Sequence, residues 1–377
     1  MRVLYDHQAF RLGKYAGIPR YFTELISRYQ SGNQITPIIP DMWSVTQDYR
    51  KLQHCPENIT WNIRDKIVTL SLQMFHQNPS RLLDGAEYKT RKLLQKQDFD
   101  VFHPTWLESY FLKDIGKKPY VLTIHDLTCE KYPENTPKAV KFIKYTSEII
   151  DDASRFIAIS KSTKNDLVGY YDVDPELIDI VYHGSLFEKY LIPKRTDVSA
   201  CHESRYLLYV GIRYPHKNFL HFVLSISSIL RDGCKLICAG GGTFSQSEMD
   251  LFSTLGVSRQ ISQITVNDEQ LISLYQNAIA FVYPSLNEGF GLPLLEAFSC
   301  GCPVLCSNTS SLPEIGGNAV LYFDPKNPVE ISNAVYSVMD DERLIEHMIS
   351  NGYNQLSEFS WDKCARDTMN VYQKTME

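Results

Sequence analysis

Short apolar runs alternate with segments of helical periodicity along most of this chain. The opening MRVLYDHQAF is one such run, and others recur as far as AVLYFDP, each bounded by turn residues. Short buried strands that alternate with helices are typical of an α/β domain built on a parallel sheet. Ligands of such sheets bind beyond the carboxyl ends of the strands, so the loops at those ends are candidate sites.

The alternation falls into two sets. The first includes ITPIIP, DFDVFHPTW, PYVLTIHDLT, RFIAIS and LIDIVYHG, with helices predicted over 138–151 and 161–171. A polar stretch without periodicity at about 190–204 predicts a linker. The second set begins with YLLYVGI. We therefore expect two domains, at 1–195 and 204–358, followed by a terminal helix within 360–377.

Residues 43–97 lack this regularity. Helical pieces are expected near 66–75 and over 80–97, and the second piece is basic. Its cations are Arg81, Lys89, Arg91, Lys92 and Lys96. A solvated helix face is the preferred interpretation, and contact with an anionic membrane surface is the alternative.

Composition narrows the class of protein. The chain has 377 residues, which suits two domains, and its net charge of −6 argues against a general nucleic-acid binder. Nine cysteines show no metal-binding spacing, so we expect buried thiols in a reducing cytoplasm. No secretory signal is visible, and no apolar run approaches the ~18 residues that a membrane span needs. The expectation is a cytoplasmic protein.

The stretch EGFGLPLLEAFSCGCPV, from residue 288, lies between two strand-like runs and predicts a Gly-rich turn followed by a helix. Gly289 and Gly291 allow the backbone to approach a ligand closely. The first-turn amides of the helix are unpaired, so they can hold an anion. Glu288 and Glu296 bracket the turn. This arrangement suits a ligand with phosphate in the middle and hydroxyls at both ends, although such a pair of glutamates also arises by chance.

Cations follow the first strand of the second set. Arg213 and Lys217, in the loop after YLLYVGI, could neutralise a diphosphate. In the first set, the small residues around Gly17 repeat the strand–turn–helix geometry that binds phosphates, with a plain turn as the alternative. Four histidines follow strands. His125 is the one we expect to be functional, and His7, His103 and His183 are more simply structural.

A family resemblance rests on these residues. VYPSLNEGFGLPLLEAFSCGCPVLCSNTSSLPEIGGNAVLYFDP, with its E-x7-E spacing, resembles the nucleotide-sugar-binding half of the retaining family 4 glycosyltransferases. The resemblance covers about 204–360 and reaches the first domain in pieces, at the first-strand loop, HDL and AISKSTKNDL. It implies an α/β, GT-B fold, in which two Rossmann-like doubly wound domains face each other across a cleft and the terminal helix returns to the first domain.

The resemblance also implies roles. Glu288 would contact donor-sugar hydroxyls, and Glu296 the ribose. Arg213 and Lys217 would hold the diphosphate, and His125 would lie by the reacting centre, so that the catalytic set is His125, Glu288, Arg213 and Lys217. Further donor-binding positions would be Gly17, Gly289, Phe290, Gly291 and Leu292, with the base read near Val266, Asn267 and Leu271. Two departures are Ala16-Gly17 where the family often has Gly-Gly, and Ile212 ahead of Arg213.

The opening YDHQAF…YAGIPRYF is similar to bacterial members that build surface polysaccharides, many of them mannosyltransferases. The implied reaction moves a hexose, with GDP-mannose favoured as donor, to a hydroxyl of a growing, lipid-linked glycan such as O-antigen, capsule or exopolysaccharide. We expect retention by front-face attack, with no metal, no cofactor and a peripheral contact with the inner membrane surface.

Other functions remain as alternatives. They are a UDP-sugar-dependent transferase, a sugar-nucleotide epimerase, a pyridoxal-dependent phosphorylase of the same architecture and a non-catalytic binding module. A dinucleotide dehydrogenase is a poor candidate, because neither half carries GxGxxG.

Overall fold

The structure is a computed structural model that describes residues 1–11, 17–32, 34–40, 52, 84–135, 138–187, 190 and 206–377. The helix expected near 66–75, Arg81, Ala16 and nearly all of the 190–204 linker lie outside the described residues.

Six parallel strands form the sheet layer of the first half. They are β1 Arg2–Tyr5, β2 Thr36–Ile38, β3 Val101–His103, β4 Val121–Ile124, β5 Arg155–Ala158 and β6 Ile178–Ile180. The orders are β2-β1-β3 and β4-β5-β6, and a single parallel bridge between Phe102 and Tyr120 links the two groups. The strands therefore follow the order 2-1-3-4-5-6, which reverses between β1 and β3.

Apolar side chains of these strands belong to two hydrophobic cores, one on each face of the sheet layer. Val3 and Tyr5 of β1 belong to one cluster, and Leu4, between them, belongs to the other. Successive side chains of a strand point to opposite faces, so a wholly apolar strand is covered on both. The covering helices of the first half are α1 Gly17–Ser31, α2 Asp84–Lys96, α3 Thr128–Lys131, α4 Ala139–Ile150 and α5 Lys161–Tyr171.

The second half contains a six-stranded parallel sheet. Its strands are β7 Tyr206–Val210, β8 Lys235–Ala239, β9 Ile261–Ile264, β10 Ala280–Tyr283, β11 Val304–Ser307 and β12 Leu321–Phe323, in the order β9-β8-β7-β10-β11-β12. The direction of winding reverses between β7 and β10. This is the point at which open α/β sheets bind ligands, because the flanking loops diverge there and leave a crevice.

Helices cover both faces of the second sheet. They are α6 Phe219–Ser225, α7 Ser227–Arg231, α8 Gln246–Leu255, α9 Asp268–Asn277, α10 Leu292–Ser299, α11 Leu312–Gly316, α12 Pro328–Asp340 and α13 Glu342–Leu356. The helical segment after Lys217 is divided into α6 and α7 at Ile226, whose backbone leaves the helical region at φ −102° and ψ 10°.

The terminal helix, α14 Trp361–Met376, packs on the first half. Trp361 is buried, and its indole N–H donates to the Ser185 carbonyl oxygen at 3.0 Å. Near the other end of the helix, the Tyr372 hydroxyl shares hydrogen bonds with Tyr5 at 2.9 Å and with His103 Nδ1 at 2.6 Å. The last helix of the chain therefore completes a core built from its first strand.

The basic helix α2 exposes Lys89, Lys92 and Lys96. Arg91 departs from the expected solvated face, because its guanidinium pairs with Glu87 at 2.9 Å and also with Asp114. Among the described helices, none is long and apolar enough to cross a membrane.

Candidate active site

The Gly-rich turn, residues 288–291, leads from β10 into α10. Gly291 has φ +114°, a conformation that side-chain-bearing residues rarely adopt. The Ser311 hydroxyl lies 3.0 Å from the carbonyl oxygen of Glu288 and 2.7 Å from that of Phe290. The Ser310 hydroxyl accepts from the Glu288 N–H at 2.9 Å. These bonds fix the turn with the amides of the α10 N-terminus directed into the crevice between β7 and β10.

Lys217 and Glu288 meet beside this turn. The Lys217 ammonium lies 2.7 Å from both carboxylate oxygens of Glu288, although the residues are 71 positions apart. Lys217 follows β7 and Glu288 follows β10, and these strands are neighbours at the reversal of winding. Glu288 is buried, so each charge depends on the other for its stabilisation. The structure thus brings together two of the predicted catalytic residues.

Glu296 lies on α10, where it is buried and accepts a hydrogen bond from the Tyr275 hydroxyl at 3.0 Å. Burial raises the pKa of this carboxyl to about 7, while the Tyr275 hydrogen bond and the charge of Arg20 act in the opposite direction. Near neutral pH the group therefore exchanges between an acceptor-only carboxylate and a protonated acid.

Arg213 was expected to bind a diphosphate, and in the structure its side chain forms an ion pair within the second half. Its guanidinium pairs with Glu248 at 2.6 Å, and it donates to the carbonyl oxygens of Gly242 and Thr243 at 2.9 and 3.0 Å. The Arg213 side chain is only 4% exposed, and Phe244 lies against the guanidinium. Arg213 thus supports the loop after β8, whereas Lys217 faces the turn after β10. Diphosphate binding by Arg213 stays a prediction.

His125 lies where the two halves touch. A Cβ added at Gly289 would stand 1.9 Å from the His125 carbonyl oxygen, so the turn meets this backbone closely. The His125 ring contacts Tyr21 edge-on, with centroids 5.2 Å apart. Its Nε2 is buried and has no hydrogen-bond partner among the described residues. Burial lowers the pKa of His125 to about 4, so the ring is neutral at pH 7.

The other three histidines are buried near the strand ends. His103 shares hydrogen bonds with Tyr372 and, at 2.9 Å, with Thr123, which fits a structural residue. His7 shares one with Thr90 at 2.9 Å. His183 is sandwiched between Tyr21 of the first half and Phe290 of the Gly-rich turn, with ring centroids 4.8 and 4.9 Å apart.

Side chains at the start of α5, in the first half, form hydrogen bonds with the Gly-rich turn. The hydroxyls of Ser160 and Thr163 donate to the Gly289 carbonyl oxygen at 2.7 and 3.2 Å. Glu314, from α11, accepts from the Lys161 N–H at 2.9 Å and from the Tyr182 hydroxyl at 2.6 Å. These residues were not among the predicted site positions. AISKSTKNDL did contain a signal, since serine before a helical pattern is an N-cap, but the pattern cannot reveal a partner 129 residues away.

The remaining predicted donor-binding positions lie at the start of α1, in the loop before α9 and within α9. A side chain at Gly17 would lie 3.6 Å from Leu292 Cδ1, so the start of α1 faces the start of α10. The Asn267 side chain caps α9 by accepting from the Gln270 N–H at 2.9 Å. Val266 and Leu271 are partly buried against the cluster that contains α10. Their contacts with a base stay a prediction.

Arg20 was not among the predicted site residues. From the first turn of α1 it reaches Asp268, the first residue of α9, at 3.1 Å. An arginine in a helical pattern carries no signal of a partner in another domain.

The loop after β7 and the turn and helix after β10 thus carry helix-terminal amides, one paired ammonium and two buried carboxylates, and the backbone of the neutral His125 approaches the turn. Such a set can bind an anion flanked by hydroxyl groups. Across the described ranges, no cluster of three or more histidine, cysteine, aspartate or glutamate side chains could hold a metal ion.

Comparison with known proteins gives two matching family descriptions. Residues 194–355 match "Glycosyl transferases group 1", and residues 44–185 match "Glycosyltransferase Family 4". The chain is 31% identical over 272 residues to O-antigen chain mannosyltransferase B of Escherichia coli, covering 67% of this chain and 69% of that protein. It is 30% identical over 314 residues to an uncharacterized glycosyltransferase of Methanocaldococcus jannaschii, covering 78% and 80%.

Among solved structures, the chain resembles Anabaena HepE in complex with UDP-glucose. The TM-score is 0.71 at 16% identity, and the match covers 99% of this chain and 100% of that one. At this identity the likeness concerns the fold, and it agrees with two facing domains of the GT-B type.

Proposed function

This chain belongs to the glycosyltransferases of the group 1 and family 4 type, with a GT-B fold, and from that premise we propose that it is a retaining, metal-independent hexosyltransferase. Its donor would be a nucleotide diphosphate sugar, and its acceptor a hydroxyl of a growing glycan. The observation that carries this proposal is the Lys217–Glu288 pair at the reversal of winding, beside the N-terminus of α10 and opposite His125.

The proposed chemistry breaks the bond between the anomeric carbon and the donor phosphate. Negative charge then grows on the leaving diphosphate, and Lys217 together with the amides of Phe290, Gly291 and Leu292 would stabilise it. The acceptor oxygen would attack from the same face, and its proton would pass to the leaving phosphate oxygen. Glu288 would orient donor-sugar hydroxyls while holding Lys217 in place. His125, being neutral, would contribute a hydrogen bond and no charge.

GDP-mannose is the proposed donor, supported by the similarity to O-antigen chain mannosyltransferase B. The likeness to a protein solved with UDP-glucose supports UDP-sugars as the alternative. The proposed acceptor is a lipid-linked O-antigen, capsule or exopolysaccharide chain in a bacterium. Such an acceptor would place the enzyme at the cytoplasmic face of the membrane, and the exposed lysines of α2 suit a peripheral contact with anionic lipid.

A panel of GDP-mannose, UDP-glucose and UDP-N-acetylglucosamine tests the proposal. A ligand that binds only the native protein raises its unfolding temperature, so the true donor should give the largest increase in unfolding temperature. We expect GDP-mannose to do so, to be hydrolysed slowly, and to yield an α-linked product by NMR when acceptor is added. Glu288→Gln should lose transfer, and the exposed Glu269→Gln should not.

Other outcomes would contradict parts of the proposal. A new sugar formed from donor alone would indicate an epimerase. A β-linked product from an α-linked donor would exclude retention. Activity lost in EDTA and restored only by a divalent cation would exclude metal independence.

A further inference from the structure

The proposed donor needs more free positive charge than the expected cations provide. A nucleoside diphosphate brings two negative charges. Lys217 is already paired with Glu288, and Arg213 with Glu248. The Arg213 and Glu248 side chains are only 4% and 9% exposed, so removing the arginine would leave a buried carboxylate unpaired, which is costly. A further cation should therefore face the crevice.

Arg20 lies where such a cation is needed. It is one turn along α1 from Gly17, the residue that faces the start of α10. Its guanidinium reaches Asp268 of α9 at 3.1 Å, and its charge acts on Glu296 of α10. Arg20 is thus between the two helices expected to hold the nucleoside, although it belongs to the opposite domain.

The Arg20–Asp268 ion pair can be exchanged at low cost. The two side chains are 19% and 31% exposed, so water screens their attraction. Asp268 also accepts from the Tyr190 hydroxyl at 3.0 Å. It stands in the first turn of α9, where the helix dipole favours a negative charge. Asp268 therefore keeps stabilising interactions when Arg20 turns away.

We propose that Arg20 is a donor-binding residue supplied across the cleft, which exchanges Asp268 for the diphosphate of the bound nucleotide-sugar. A guanidinium can donate two parallel N–H bonds to phosphate oxygens, which a lysine cannot. Arg20 would then keep its contact with the second domain through the donor, because the arginine and the main phosphate site lie on opposite walls. This inference rests on the proposed function and adds a residue to its donor site.

The test uses the full chain and four variants. Calorimetry with GDP and with UDP measures binding, and steady-state transfer measures the donor KM. Arg20→Gln should weaken nucleoside diphosphate binding and raise the donor KM by roughly 10- to 100-fold, the scale of a charge-assisted hydrogen bond. Arg20→Lys should recover part of the loss. The acceptor KM should not change.

Two controls separate donor binding from a purely structural role. Asp268→Asn removes the carboxylate that pairs with Arg20, so it should leave the donor KM unchanged or lower it. Arg28→Gln removes another arginine of α1, whose partner Asp362 at 2.6 Å lies on α14, away from the cleft, and it should change neither constant. The proposal is overturned if Arg20→Gln binds GDP and UDP as the wild type does, or if Asp268→Asn raises the donor KM as much as Arg20→Gln does. A wild type that binds neither nucleotide overturns the proposed function itself.

Discussion

At the scale of single residues, Lys217 and Glu288 form a preassembled pair of opposite charges. Each would be destabilised alone in its half-buried position, and together they need little rearrangement when a charged ligand arrives. Neither residue has to exchange a proton during the reaction. Their proposed contribution is to hold charge beside the position where negative charge develops on the leaving diphosphate.

The first prediction concerns this pair. Lys217→Met should lower kcat/KM for transfer by about 100- to 1,000-fold, because a preorganised stabiliser of transition-state charge contributes on that scale. Steady-state kinetics with a fixed acceptor measures it, and the exposed Lys326→Met is the matched control. A loss below about threefold would show that the amides of α10 suffice without the ammonium.

The second prediction concerns Glu296, whose pKa burial raises to about 7. Only the carboxylate can accept two ribose hydroxyl bonds, so nucleotide-sugar affinity should rise as pH increases from 6 to 8. The diphosphate of a nucleotide-sugar does not titrate in this range, which makes calorimetry across it interpretable. Tyr275→Phe removes a hydrogen bond that favours the charged form, so the midpoint should move to higher pH.

Glu296→Gln is the control for this experiment. It should bind the donor weakly and without pH dependence between 6 and 8. Wild-type affinity that stays constant across the range would contradict the assignment of Glu296 to the ribose.

At the scale of elements, the turn after β10 and the start of α5 form the junction between the halves. The Gly289 carbonyl accepts from Ser160 and Thr163, and its α-carbon faces the His125 carbonyl. A helix of the first half therefore contacts the turn that is expected to hold the donor. The turn is held both from its own half, by Ser310 and Ser311, and from the first half, by Ser160 and Thr163.

The third prediction follows from that contact. In Gly289→Ala the new methyl would stand 1.9 Å from a backbone oxygen, which cannot move aside as a flexible side chain could. The two halves should separate, and transfer should fall by at least about 10-fold, since small misplacements of reacting groups are costly. X-ray scattering should show a larger radius of gyration, with both domains still folded.

Gly169→Ala, in the last turn of α5, is the matched control. Nothing lies within 4 Å of the position of its new methyl group. It should retain activity and gain up to about 1 kcal/mol of stability from helix propensity. A fully active Gly289→Ala enzyme would show that the observed approach is not required for transfer.

At the scale of the whole molecule, aromatic rings and histidines from distant parts of the chain meet at one place. His183 is stacked between Tyr21 of α1 and Phe290 of the Gly-rich turn, and Trp361 of α14 lies beside it. Neither ring nitrogen of His183 has a hydrogen-bond partner within the described part of the chain. Burial, followed by the nearby His125, holds the pKa of His183 well below its usual range.

The fourth prediction is that His183→Phe stabilises the protein. A phenylalanine of similar shape leaves no buried polar atom unsatisfied, so the free energy of unfolding should rise by about 1–3 kcal/mol. The effect should grow on acidification. When folding lowers the pKa of a histidine, protonation of the unfolded chain lowers the free energy of unfolding by about 1.4 kcal/mol for each pH unit below about 6.5, and this loss is absent well above that pH.

Urea unfolding at pH 7.5 and 5.5 measures both effects. The difference in stability between the two pH values should be smaller in His183→Phe than in the wild type. The exposed His347→Gln should behave as the wild type does. A destabilised His183→Phe, or one with unchanged pH dependence, would show that His183 makes a favourable polar interaction.

The sequence by itself determined the elements and the family. Each strand of the two predicted sets is present, because a short apolar run between turn residues has few other stable conformations. The E-x7-E motif placed Glu288 and Glu296 on one turn and one helix, since both positions are local in the chain. The local backbone geometry and the residues of a contiguous motif do not depend on the order of the strands in the sheets.

Only the tertiary structure decided which of the charged residues meet. Arg213 and Lys217 are four positions apart, yet one pairs with Glu248 and the other with Glu288. Arg20 reaches Asp268, 248 positions away, and α14 completes a core that begins at β1. These pairings depend on strand order and on the facing of two domains, and no periodicity in the sequence encodes either. The charge of a side chain follows from its residue type, but the fold determines which residue it pairs with.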